Sequence, residues 1–429
     1  MFRKTVALIT TLALVFLVGC ASTTAPKPAE TPKAAEPAKA DGPVTITFWH
    51  TYNSDSPENK TLNEVVIPAF QKKNPNITVK AVVMPYDGLH DSMTVAAAGG
   101  TTPDLLRMDI IWSPEFSKLG VLEPLDGYPG FADIKNSIAF PAPLATNAYK
   151  GKYNGLPLDT NTQVMVYNPA FLQTAGLSAP PKTMDEFKKY MASAGGNGKF
   201  ALGLDGPYPW QILPFFWSMG GKVTNDDYTK ATGFVNSDDS IAAVQTLADM
   251  FKAGSFGPEM LGGQPGTWDG YKAGTYGAVL QGPWFYSALG KELKGKMVSG
   301  LIPAGKAGSI SVVGGENIAM FKTSPQNKKD AAWKFIQFML SDEAQIAMAK
   351  TGQMPVTKSA STNPVMKEAG YYDAYVEQLK TAMPRTPVPT WTKIDSILQN
   401  AVESVFRGKA APKAAMDQAA KEIDALLAQ

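Results

Sequence analysis

One cysteine and two histidines are all that the 429 residues hold of the side chains most used for redox and metal chemistry. A single thiol, Cys20, excludes an intrachain disulfide and any cysteine-built metal site. His50 and His90 belong to no spaced ligand motif such as H-E-x-x-H, and no G-x-S-x-G elbow, phosphate loop or dinucleotide fingerprint is present. An excess of one charge is missing too. The 40 basic residues nearly balance 38 acidic ones, so nothing points to nucleic acid or an anionic membrane surface. Nor is any apolar run long enough for a spanning helix, which needs roughly 20 residues.

What is present begins with a short export-type segment. Arg3 and Lys4 precede the mostly apolar run 6–18, as in a signal peptide. Leu17-Val18-Gly19-Cys20 resembles the bacterial lipoprotein signal, in which the cysteine is acylated and becomes the mature N-terminus. Residues 1–19 are therefore expected to be removed, and acyl chains on Cys20 to anchor the protein outside the cytoplasm, in the periplasm or at the cell surface. Loss of Arg3 and Lys4 brings the net charge from +2 to 0. The segment 20–42 is rich in Ala, Pro, Lys, Glu and Thr and has too little apolar bulk to offset the entropy of ordering it, so it reads as a spacer.

The remaining chain is too long for one comfortable core, which predicts two α/β lobes. Val44 to Trp49 alternates apolar and polar residues as a strand does, 62–73 carries helical spacing, and 77–84 is rich in β-branched residues. That is the β-α-β order of a parallel sheet. A helix over 91–98, a strand over 105–109 and a helix over 113–119 follow, which places Asp109 at the carboxyl end of a strand, where open α/β sheets bind ligands. Further on, 153–168 is extended, Thr183 and Glu186 have capping-box spacing, and 238–252 and 326–340 read as helices. In the latter helix Trp333 has core spacing with Ile336. Helices near 394–406 and 413–427 close the chain.

Aromatic residues stand at expected loop edges: Trp49, Tyr52, Trp112, Trp210, Trp217, Trp268, Trp284 and Trp391. Sugar rings have apolar faces that stack on such planes, while their hydroxyls call for carboxylates and amides. Two carboxylates about 5 to 10 Å apart would also suffice for glycoside hydrolysis, with Asp109, Asp159 and Glu316 as candidates. Adjacent Tyr371 and Tyr372 raise ferric iron as a further alternative, without a clear His or carboxylate to complete the site. A polyol or polyamine ligand stays open as well.

Phe48-Trp49-His50, Thr102-Pro103-Asp104-Leu105 with Asp109, Gly155-Leu156-Pro157 through Tyr167-Asn168, Gly282-Pro283-Trp284, Gly314-Gly315-Glu316 and Gly352-Gln353-Met354-Pro355-Val356 follow one another in a telling order. In that order the chain resembles the family 1 extracellular solute-binding proteins of ABC transporters, the maltodextrin and multiple-sugar-binding group. The resemblance implies two Rossmann-like α/β lobes joined by a three-segment hinge, the type II periplasmic-binding-protein arrangement. Lobe one would comprise 43–158 and 315–349, and lobe two 159–314 and 350–429. It implies a monomer that is no enzyme and needs no cofactor or metal, with a carbohydrate ligand and with a permease and its ATPase as partners. Carried to matching positions, it implies ligand contacts from Trp49, His50, Tyr52, Asp109, Asp159, Asn161, Trp284, Gly315 and Glu316, with Trp210, Trp217 and Trp391 as further aromatic contacts. Many relatives have arginine where this sequence has Thr357, so a charged contact between the lobes is not expected there.

Overall fold

The computed structural model describes residues 42–429; the expected signal peptide, Cys20 and nearly all of the expected spacer lie outside the described residues. Strand β1 (Val44–His50) buries Ile46, Phe48 and His50 on one face, as its alternation requires. It pairs in parallel with β2 (Ile77–Val83) and β3 (Leu105–Asp109), with the helix Tyr86–Gly99 in the crossover to β3. All five residues of β3 are buried, the mark of a central strand covered on both faces.

β4 (Leu156–Thr162) and β5 (Val164–Tyr167) are separated by Gln163 alone, yet they belong to different sheets. The second sheet also contains β6 (Phe200–Gly203), β7 (Tyr276–Gln281) and β8 (Val298–Gly300), in the order β8-β5-β7-β6. β9 (Val313–Met320) then returns to the first sheet and inserts antiparallel between β3 and β4, giving the order β2-β1-β3-β9-β4. Thr162 pairs with Val313, and Thr160 with Met354, so three passages of chain run side by side where the two sheets meet.

Each sheet has its own core. In lobe one Phe335, from the helix Gln326–Met339, meets Phe48 and Phe70 edge-on, with ring centroids 5.5 and 5.0 Å apart. Trp333 of the same helix is buried there and donates its indole N–H to the Pro129 carbonyl at 2.9 Å. In lobe two the helices Asp238–Lys252, Trp391–Phe406 and Pro412–Leu427 pack against one another over a core that includes the helix Pro209–Ser218. The Thr183–Glu186 capping box forms as expected, each side chain satisfying the other residue's backbone N–H at 3.2 Å. No helix among the described residues is long and apolar enough to cross a membrane.

Candidate functional site

The strand register assembles the floor of a cleft. Glu316 on β9 lies opposite Asp109 on β3 and opposite Asp159 on β4, so three carboxyl residues that are distant in sequence form one row across the sheet. Three buried acids cannot stand together without a cation. Arg107, two residues before Asp109 and hence on the same face of β3, supplies it. Its Nε and Nη2 donate to Asp159 Oδ2 at 3.3 and 3.1 Å, and Nη2 lies 2.8 Å from Glu316 Oε2 without hydrogen-bonding alignment. Nη1 donates to Thr51 Oγ1 at 2.6 Å, Nη2 also reaches Gln353 Oε1 at 3.2 Å, and the guanidinium carbon sits 4.1 Å from the Tyr52 ring centroid.

The electrostatics follow from this packing. Burial alone would lower the Arg107 pKa, but Asp159 and Glu316 more than offset it, and the guanidinium stays charged. Burial pushes the Glu316 carboxyl well above the carboxylate range; Arg107 opposes the rise and Asp159 adds to it.

Asp109 has partners of its own, one of them from lobe two. Its Oδ2 accepts from the Tyr86 hydroxyl at 2.6 Å, and its Oδ1 accepts from Ile111 N–H at 3.0 Å and from Arg385 Nη2 at 3.1 Å. Arg385 in turn lies over the Trp210 ring, 5.1 Å from its centroid. A charged contact between the lobes thus exists, supplied by Arg385, while Thr357 is buried with its hydroxyl unpartnered. Nearby, Thr392 donates to Glu115 at 3.2 Å, and Glu115 also meets His90 Nε2 at 3.0 Å.

Between these groups lies a cleft of about 1230 Å³. Of the residues expected from the sequence, Tyr52, Asp109, Asn161, Trp210, Trp284, Gly315 and Glu316 line it. Gly314 and Gly315 let β9 pass close to its neighbours: a Cβ on Gly315, at φ +128°, would come within 2.5 Å of the Asp159 carbonyl, and one on Gly314 would collide with Asn161 and the Trp210 ring. Asp159 stands behind this surface, bound to Arg107.

Four expected contacts are corrected. His50 is fully buried with both ring nitrogens unpartnered, because β1 extends through it and its alternation turns the ring inward between Phe48 and Tyr52. Burial, and then Arg107, pull its pKa down to about 4, so the ring is neutral. Trp49, one residue earlier, packs on the opposite face against the cluster around Leu89, Met93 and Trp112. Trp217 and Trp391 belong to the lobe-two core, since their helices are amphipathic or wholly buried and turn them inward. None of the four lines the cleft.

Sequence reasoning missed Arg107, Arg385, Tyr208, Asp205 and Asp395 as site residues. The first was legible from the period of two that it shares with Asp109; Arg385 sits in an irregular stretch with no periodicity to reveal it. Trp268, noted among the aromatics, does reach the cleft, and its indole N–H is fixed on Gln281 Oε1 at 3.2 Å. Tyr371 and Tyr372 are packing residues: the Tyr371 ring stacks on Tyr286 at 5.1 Å, and the Tyr372 hydroxyl donates to the Ala349 carbonyl at 2.6 Å.

A family model described as bacterial extracellular solute-binding protein matches residues 66–374. A putative binding protein of Brucella abortus is 27% identical over 373 residues, covering 85% of this chain and 89% of that one. A galactooligosaccharide-binding protein of Bacillus subtilis is 23% identical over 416 residues, 95% of each. Among solved structures, the GacH receptor of Streptomyces glaucescens, determined unliganded and in complex with acarbose, superposes with a TM-score of 0.81 at 24% identity, over 90% of this chain and 98% of that one.

Proposed function

The chain belongs to the bacterial extracellular solute-binding proteins, and from that premise we propose that it captures a carbohydrate in the cleft and delivers it to an ABC-type permease. The observation that carries this reading is the make-up of the cleft walls. Trp210, Trp268 and Trp284 offer flat apolar faces, and Asp109, Asn161 and Glu316 offer hydroxyl partners opposite them. The volume of about 1230 Å³ exceeds the roughly 300–1,000 Å³ usual for a small-molecule pocket, which favours an oligosaccharide over a single sugar ring.

Capture rests on lobe closure. A ligand touching both lobes stabilises the closed arrangement by the contacts it gains only there. The Asp109–Arg385 ion pair is one contact that already bridges the lobes, and a sugar hydroxyl beside it has a charged donor and a charged acceptor within reach. The three candidates for a hydrolytic pair are instead all ion-paired, Asp159 and Glu316 with Arg107 and Asp109 with Arg385, which supports binding without turnover. In this reading the mature protein is a monomer tethered by lipidated Cys20, with lobe boundaries near 158, 315 and 350, and the permease recognises the closed form.

A thermal-shift screen of the full chain against mono- and oligosaccharides, ferric iron and polyamines tests it. A ligand at 100 times its Kd adds about 2.7 kcal/mol of stability. The expected outcome is a selective shift with one saccharide family, recovered chemically intact. A shift with iron or a polyamine alone, or recovery of cleaved sugar, contradicts the reading.

A further inference from the structure

The charges lining the cleft do not balance. Seven carboxyl groups and two guanidinium groups line it, and no lysine or histidine does. Both guanidiniums are already committed, Arg107 to Asp159 and Glu316, and Arg385 to Asp109. Asp55, Glu58, Asp87, Asp205 and Asp395 line the same cleft, and none of them makes an ion pair with a basic residue among the described residues.

Asp87, Asp205 and Asp395, together with Tyr208, reach this one cleft from elements of both lobes. Asp87 is on the lobe-one helix Tyr86–Gly99, Asp395 is on the lobe-two helix Trp391–Phe406, and Asp205 follows β6. After burial, it is the fields of Asp205, Asp395 and Asp87 that raise the Tyr208 pKa. Asp205 is held in place by Gln281 Nε2 at 3.0 Å, on the same amide that fixes Trp268. Like charges brought together from two lobes oppose closure unless a cation lies among them. Among the described residues no cluster of His, Cys, Asp and Glu has the geometry to hold a metal ion.

A second observation points to a ligand in the same cleft. Three buried polar atoms of cleft-lining residues have no hydrogen-bond partner, Arg385 Nε, Asn161 Oδ1 and Glu316 Oε2, and of these Arg385 Nε and Asn161 Oδ1 lack an ion pair as well. Such atoms are costly to leave unsatisfied, and they want one acceptor and one donor from whatever fills the cleft. A hydroxyl provides either role. An ammonium group provides donors only, matching the surplus of acceptors.

Resting on the carbohydrate reading above, we propose that the preferred ligand is an amino sugar, a saccharide whose protonated amine sits among Asp87, Asp205 and Asp395 while its rings stack on the tryptophan walls. A flexible polyamine would satisfy the charge but leave the flat faces of Trp210, Trp268 and Trp284 without a matching surface.

The test is calorimetry on the full chain near neutral pH with four probes: a glucosamine tetrasaccharide, its fully N-acetylated form, neutral cellotetraose and spermidine. The glucosamine oligomer is expected to bind at least ~10-fold tighter than either uncharged oligomer at about 20 mM NaCl, with the gap narrowing at about 300 mM as screening grows. Asp205→Asn and Asp395→Asn, each first shown to melt within a few degrees of the parent protein, should shrink that preference several-fold. Equal or tighter binding of an uncharged oligomer overturns the amino-sugar assignment and leaves carbohydrate capture standing. Binding of spermidine alone, or of none of the four, overturns the assignment, and the spermidine result removes the carbohydrate reading with it.

Discussion

Arg107 and Trp284 show two ways in which single residues make the cleft. Arg107 holds Asp159 and Glu316 together as a rigid floor while itself lining the cleft. Trp284 directly follows Gly282-Pro283 after β7 and opens the helix Trp284–Leu289, so its ring is fixed at the cleft wall by the start of a regular element. Replacing it with alanine is expected to weaken saccharide binding by about 1 to 3 kcal/mol with little change in melting temperature, as calorimetry and a melting curve will measure. An unchanged Kd removes Trp284 from the site. Residue type alone did not separate wall tryptophans from core tryptophans. Trp210 and Trp217 lie on one helix, and only the former, in its first turn, reaches the cleft, because the rest of the helix is enclosed by the lobe-two core.

Among the elements, strong periodicity was the most legible. The helix Asp238–Lys252 and the Thr183 cap fall where the sequence places them, since amphipathic spacing and capping chemistry are local. The helix Tyr86–Gly99 begins a turn and a half earlier than its expected start at 91, its first turns carrying Gly88 and His90 and little apolar signal. The row Asp109, Glu316 and Asp159 depends on strand register between segments some two hundred residues apart, which no local pattern encodes. β9 is the element that joins them, and its passage depends on a glycine. Gly315→Ala puts a side chain at φ +128° against the Asp159 carbonyl, so a loss of about 1 to 3 kcal/mol of unfolding free energy is expected in a denaturant titration. A loss within error would mean that the backbone there relaxes freely and does not set the floor.

At the scale of the whole molecule, the two sheets and the three adjacent passages between them make a cleft whose walls belong to different lobes. The two-lobe architecture was readable from chain length, β-α-β order and the succession of loose motifs. The contact between the lobes was not, because Arg385 reaches Asp109 from a segment 276 residues further along the chain. The central claim is that one saccharide is held by both walls at once. Its most direct test is a crystal structure of the complex with the saccharide that gives the largest thermal shift. The account predicts an intact sugar with a ring stacked on Trp284 or Trp210 and hydroxyls on Glu316, Asn161 or the Asp109–Arg385 pair. A sugar bound outside the cleft, or touching one lobe alone, would contradict it.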